Sequence, residues 1–210
     1  MVIDFPVTKG VYGQYCPVCH TKNTASEIRE NGRKMFVCSN CNTQSDRLVI
    51  IDPKIRWWVD DEKVYYHESA GIFLVNPTGK LLFFELTKFP YGLTAPAGHV
   101  DINETALEAV IRETEEEVGV KIANPRLVTE VMIHGDSCSR GCDDHKWSLF
   151  TKSITQKEAD SIKIDGREGQ KPRWVQISEV DSLKVPYAMR FLFDNYRNDI
   201  ENALIAGGLS

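Results

Sequence analysis

Two kinds of chemistry-bearing residue cluster in this chain of 210 residues. The first is the acidic run "RETEEEVG", residues 112–119, in which four glutamates and one arginine share eight positions. Glu113, Glu116 and Glu117 stand at i, i+3 and i+4, so a helix there carries three carboxylates on one face. Carboxylates held together repel unless a cation neutralises them, and an all-oxygen set suits Mg²⁺ or Mn²⁺ better than zinc. Arg112, four positions before Glu116, can orient or partly neutralise one of them. The competing reading is a solvated charged helix face. The second kind is cysteine. Cys16-x₂-Cys19 and Cys38-x₂-Cys41 are separated by 18 residues, the spacing of a Cys₄ structural zinc ribbon. Four thiolates complete a tetrahedron and leave no open position, so this site is structural, and so short a segment scarcely folds without its metal. His20 adjoins Cys19 as a competing ligand, although the four cysteines already make a full set. A third pair, Cys138 and Cys142, lies in a loop with His134 and His145 nearby. Two reduced thiols is the simpler reading there, and a second zinc site is the alternative.

The elements that must position these residues follow from the pattern of apolar and turn residues. A cysteine module spans 1–52 and contains the strand-like segment "RKMFV", and "LVIIDPKIRWWVDDEK" reads as a connecting strand and linker. A linker follows over 53–63, where Pro53 excludes a helix, and a mixed strand and helix region runs over 64–210. In that region "KVYYHESAGIFLV" and "GKLLFFEL" read as a hairpin around the turn Asn76-Pro77-Thr78-Gly79. "TAPAGHV" reads as loop. From Glu104 to Val118, Leu107, Val110, Ile111, Thr114 and Val118 form the apolar stripe of an amphipathic helix directed into the core. Asn103 suits its start and Gly119 the left-handed residue after its end. "RLVTEVMIH" and "KWSLFTKSI" are strands flanking the loop 135–144, and "PRWVQI" is a further strand. Residues 186–206 form a last helix that packs through Phe191, Tyr196, Ile200 and Leu204.

Composition excludes several classes of function. At 42% hydrophobic and 26% charged, the chain is an ordinary globular protein. The net charge of −5 is local, because seven acids and one base fall between Asp101 and Glu117, and 23 acids face 24 bases elsewhere. Residues 1–60 carry eight bases against six acids, a weak basis for nucleic-acid binding. The early Asp4 and the absence of an apolar stretch after it leave no readable secretion signal, and no apolar run is long enough to span a bilayer. The expected setting is therefore the reducing cytoplasm, where paired cysteines bind metal.

Gly98, Glu104, Arg112, Glu113, Glu116, Glu117, Gly119 and Val120 match the pattern G-x₅-E-x₇-R-E-U-x-E-E-x-G-U, where U is bulky and apolar. Thr114, near-isosteric with Val, is the single departure. By these residues the chain resembles the Nudix hydrolases. The resemblance implies an α/β/α sandwich around a mixed sheet, preceded here by the zinc ribbon, and hydrolysis of a nucleoside diphosphate linked to another group. It also implies that Glu116 and Glu117 are the main Mg²⁺ ligands, that Glu113 is a further ligand or the base, and that Gly98 offers its carbonyl oxygen to the metal. Arg112 and Glu104 would tie helix to loop. A later acid often completes such sites, and Glu168 in "DGREGQKPRWV" is the candidate. The order of ribbon then Nudix domain is similar to the NADH diphosphatase family, some of which remove NAD caps from RNA, and that is the alternative substrate class. Its S-Q-P-W-P-F-P-type motif is absent from "RLVTEVMIHGDSCSRGCDDH". A second alternative is a nucleotide- or RNA-binding module that does not catalyse. Trp57, Trp58, Phe89, Tyr91 and Trp147 are candidates to stack on a substrate base. Homodimerisation is an open option by the same resemblance.

Overall fold

The two Cys-x₂-Cys segments fold as the same turn twice. In each, the carbonyl of the first cysteine accepts from the amide after the second (His20 N–H at 3.1 Å, Asn42 N–H at 2.8 Å). His20 and Asn42 are both left-handed, at φ 56° and 59°, a conformation that His and Asn adopt more readily than most side chains. The computed structural model describes residues 1–8 and 10–207, the last two by backbone alone. Strand β1 (Gly13–Tyr15) leads into the first turn. β2 (Ala25–Glu30), β3 (Arg33–Cys38) and β4 (Gln44–Ser45) form an antiparallel sheet around the second, and β5 (Val49–Ile51) returns to pair with β1.

The rest of the chain builds one mixed sheet. Its strands are β6 (Trp57–Val59), β7 (Tyr65–Val75), β8 (Leu81–Leu86), β9 (Leu93–Thr94), β10 (Ala97–His99), β11 (Arg126–His134), β12 (Asp144–Ser153) and β13 (Gly169–Val175). The order is β11-β12-β7-β8-β13, with β6 and β10 also on β7 and β9 on β8. β12 runs parallel to β7, while β7's other partners are antiparallel. Asn76 Oδ1 accepts from the amides of Thr78 and Lys80 and closes the β7–β8 hairpin expected from the Asn-Pro-Thr-Gly turn.

Every residue of β7 is buried, and its side chains alternate between two apolar layers. Ala70, Ile72 and Leu74, with Leu82 and Phe84, pack against Ala109, Val110 and Val118 of helix α1 (Ala106–Val118). Phe73 and Val75, with Leu81 and Phe83, pack against Met189, Leu192 and Phe193 of the C-terminal helix (Tyr187–Gly207). The sheet thus lies between helices on both faces, the α/β/α sandwich expected. A third cluster of Ile3, Tyr15, Val49, Ile51, Tyr65 and Cys142 joins the cysteine module to β7.

Several local expectations are corrected. "TAPAGHV" is not loop: β9 and β10 occupy most of it, and β10 pairs with β7 through Ala97–Gly71, Gly98–Ala70 and His99–Ser69. The cap of α1 is Thr105 rather than Asn103. Its hydroxyl accepts from the Glu108 amide, and the Glu108 carboxylate accepts from the Thr105 amide, a capping box that Asn103 sits too early to make. Leu107 is 43% exposed and not part of the core face, which Ala109 joins instead. Gly119 ends the helix in the left-handed region (φ 73°) as expected. Within 53–63, Trp57–Val59 form β6 and pair with β7. Two short helical segments, Gln156–Ser161 and Ile177–Ser182, lack the apolar periodicity that marks a helix in sequence. Residues 208–210, the end of the expected third segment, lie outside the described residues.

Candidate functional site

Helix α1 packs on β7 and β10, and Glu113 and Glu117 meet the β10 backbone. Glu117 is only 5% exposed, and its Oε2 accepts from the Ala97 amide at 2.9 Å. Burial, then the charge of Glu113, pushes its carboxyl well above the usual range, against the pull of that amide. Glu113 is also raised, first by burial and further by Glu116 and Glu168, although Arg112 opposes the shift. Glu116 is more open and reaches Arg112 at 3.2 Å. Gly98 lies directly above Glu113, and a Cβ there would come within 2.1 Å of the Glu113 carboxyl. Only glycine permits that approach of backbone to carboxylate.

Arg112 holds the face in place. Its Nε and Nη2 donate to the two oxygens of Glu104 (3.1 and 2.6 Å), Nη1 donates to Glu113 at 2.8 Å, and Nη2 also reaches the His99 carbonyl at 3.1 Å. A bidentate guanidinium–carboxylate pair is directional as well as strong, so it fixes α1 against the loop after β10. Burial alone would raise the Glu104 carboxyl. The Arg112 contacts, the Asp101 amide and the Arg56 charge more than offset it and hold the group below the usual range.

These acids border a cavity of about 360 Å³. Glu168 stands in its lining, ion-paired with Lys88. Arg140, His99 and Cys138 also line it, as do Phe89 and Trp147. The other three aromatic candidates stand elsewhere. Trp57 packs edge-on to Tyr65, Trp58 stacks on Tyr66, and Tyr91 lies under the Arg33 guanidinium. Trp147 is itself tethered, donating to Asp136 at 2.7 Å.

The ribbon cysteines form a separate cluster. Cys16 Sγ lies 3.6 Å from Cys41 Sγ, and Cys19 Sγ lies 3.6 Å from Cys38 Sγ, close to the edge of about 3.8 Å that Zn–S bonds of about 2.3 Å give a tetrahedron. The Thr21 hydroxyl and the Asn40 amide hold the Cys19 thiol down at about 5, while burial pushes Cys16 up to about 11. His20 takes no part: its ring stacks on Phe5 at 4.3 Å. Four neighbouring sulfurs of this geometry fit zinc.

The NUDIX domain model matches residues 65–194 of the chain. The chain belongs to the NUDIX family. Among curated proteins it is similar to the NAD-capped RNA hydrolase NudC of Shigella dysenteriae, 29% identical over 129 residues, covering 58% of the chain and 45% of that protein. The Escherichia coli K12 protein of the same name is 28% identical over the same coverage. The chain thus spans less than half the length of these relatives. Among solved structures, the MutT protein of Methanosarcina mazei shares the fold at TM-score 0.53 and 20% identity, over 65% of this chain and 95% of that one. An Ap4A hydrolase of Caenorhabditis elegans does so at TM-score 0.51 and 18% identity, over 65% and 98%.

Within the NUDIX domain the acids singled out from sequence, Glu104, Glu113, Glu116, Glu117 and the distant Glu168, stand together with Gly98 and Arg112. The loop 135–144 separates the four residues that stand near one another in sequence. His134 turns outward to Asp144 at 2.9 Å, and Cys142 donates to the Tyr65 and Asp144 carbonyls inside the third apolar cluster. Cys138 and His145 instead meet His67 and His99. Burial holds the His67 and His99 rings neutral, well below the usual histidine range, and keeps the Cys138 thiol up at about 11. The two histidines were missed because only strand register brings them in: His67 is the partner of His145 across β7 and β12. Among the described residues no helix is long and apolar enough to cross a membrane.

Proposed function

We propose that this chain is a divalent-metal-dependent hydrolase that cleaves a pyrophosphate link in a nucleoside diphosphate joined to another group. The observation that carries the reading is the pair of carboxyls, Glu117 buried and Glu113 half-buried, set against the β10 backbone beside a cavity of about 360 Å³. Burying carboxylates beside one another is costly unless a cation joins them. The donors are all oxygen, which fits Mg²⁺ or Mn²⁺. Glu113, Glu116, Glu117 and the Gly98 carbonyl would hold it. Such an ion supplies charge for the diphosphate oxygens and a lower pKa for the attacking water.

The chain's own groups do the rest. Arg112 and Glu104 keep α1 in register with β10. Glu168 lines the same cavity and is the candidate base, with Lys88 beside it to hold its charge or meet a phosphate. Phe89 and Trp147 offer apolar faces to a base. Zinc in the Cys₄ ribbon is structural, and the boundaries 1–52, 53–63 and 64–210 remain our division of the chain. The cysteine usage favours a cytoplasmic setting.

The name of the NudC relatives favours NAD-capped RNA as a second substrate reading, and the order of ribbon then Nudix domain adds NADH to it. Against it stands the segment after α1, which carries the His- and Cys-containing loop in place of the motif of that family. A hydrolysis screen over nucleotide sugars, dinucleoside polyphosphates, ADP-ribose, NADH and NAD-capped RNA, each with Mg²⁺ or Mn²⁺, tests both. We expect metal-dependent turnover of at least one diphosphate. Binding without turnover across the panel would instead support a non-catalytic module.

A further inference from the structure

His67 on β7, His99 on β10, His145 on β12 and Cys138 in the loop between β11 and β12 converge on one point. Each offers a nitrogen or sulfur, and these four atoms lie within 4.8 Å of one another. The same bound holds for the four ribbon cysteines. The three rings stand 4.8, 5.4 and 5.8 Å apart, centre to centre. His67 and His145 are 0% and 1% exposed. We propose that these residues form a second transition-metal site, of N₃S type and suited to zinc, distinct from both the ribbon and the carboxylate face.

The hydrogen bonds around the cluster support the assignment. The Tyr65 hydroxyl donates to the Ile50 carbonyl at 2.9 Å, so its oxygen accepts from His67 Nε2 at 2.7 Å. Nδ1 of the neutral ring then carries the lone pair, and that atom faces Cys138 Sγ at 3.7 Å. A ligating histidine fixed through its other nitrogen is the usual second layer of a metal site. His99 Nε2 and His145 Nδ1 are buried without a hydrogen-bond partner among the described residues. Asp136 Oδ2 lies 3.3 Å from His145 Nδ1, outside bonding geometry. Orphaned buried polar atoms require an explanation, and an ion at the convergence point provides one. Tetrahedral zinc with bonds of about 2.0–2.3 Å needs ligand separations of about 3.3–3.8 Å, so shifts of about an ångström close the set. Imidazole with one thiolate selects a borderline cation over Mg²⁺. The single excess positive charge would face buried Asp136.

Four protein ligands leave no open position, so the site is structural. Its effect is to pin the loop 135–144 to β7, β10 and β12. Cys138 and His99 also line the catalytic cavity, so the metal would set one wall of the substrate site.

Metal analysis of the purified full chain, with Co²⁺ reconstitution, tests this. We expect two equivalents of tightly held transition metal in the wild type, and one in each of Cys38→Ser, Cys138→Ser and His67→Gln. The Cys38→Ser protein loaded with Co²⁺ should show a tetrahedral spectrum with the charge-transfer intensity of a single thiolate. One equivalent in the wild type, lost in Cys38→Ser and kept in Cys138→Ser, would overturn the proposal. So would two equivalents retained in both Cys138→Ser and His67→Gln. One equivalent that Cys138→Ser removes and Cys38→Ser keeps would support this site while removing zinc from the ribbon. Should Cys138→Ser fail to fold, the wild-type count and the Cys38→Ser spectrum decide.

Discussion

The ribbon cysteines and the α1 carboxylates both gather groups that repel when ionised, yet they are held in opposite ways. The ribbon makes its site from backbone: two copies of one turn, each closed by an amide after the second cysteine, bring four sulfurs together with little help from the rest of the chain. The carboxylate site is made from tertiary structure. It needs a helix packed on β7, a glycine strand beside it and an arginine that reaches three acids. A closed sulfur site stabilises a small fold, whereas an acidic face left open on a cavity keeps room for substrate.

If that contrast is right, breaking the ribbon should be the more damaging to structure. Cys38→Ser should forfeit a large part of the roughly 10–16 kcal/mol that zinc contributes in small metal-dependent folds. Soluble yield and proteolytic stability of the first 50 or so residues should fall, while any protein that remains folded cleaves the same bond. A changed cleavage position would break the division of labour.

Glu117→Gln should do the reverse. We expect kcat to fall on the order of 10³-fold, the size of losing a preorganised charge-stabilising group, with circular dichroism unchanged. Wild-type turnover in this variant would remove Glu117 from the metal set.

The pH dependence of stability sharpens the same point. Glu117 has its carboxyl raised in the folded state by burial and by Glu113, so the metal-free folded protein binds a proton there that the unfolded chain gives up near pH 4.3. This group therefore lowers stability as pH rises above about 4.3, by at most about 1.4 kcal/mol per pH unit. Melting curves in chelator should show Glu117→Gln gaining on the wild type from pH 4.5 to 7. A constant difference would contradict the buried, raised carboxyl.

Thr105→Ala should have the smallest effect, about 1 kcal/mol from loss of the α1 cap, visible as a lowered Tm. Asn103→Ala should leave Tm nearly unchanged, which distinguishes the observed cap from the one read in sequence.

The same contrast governs what sequence reveals. The ribbon is legible because its ligands lie in two short local turns, and the acids because one helix carries three of them at fixed spacing. Glu104 and Gly98 follow from the fixed spacing of the box. The strand character of residues 93–99 was hidden because proline and glycine interrupt a segment that the neighbouring β7 and β8 hold extended. Leu107 fits the helical period but lies where no partner covers it. His67 and His99 are least legible of all, since nothing near either residue in sequence signals a partner, and only strand pairing brings them to Cys138 and His145.

The central claim is that the acids of α1 serve attack of water on a diphosphate. Turnover of the best substrate from the screen in ¹⁸O-labelled water, followed by mass spectrometry of the products, tests it most directly. The account predicts phosphomonoester products with one labelled oxygen on phosphorus. Label on a sugar carbon, or a product that keeps its pyrophosphate intact, would contradict it.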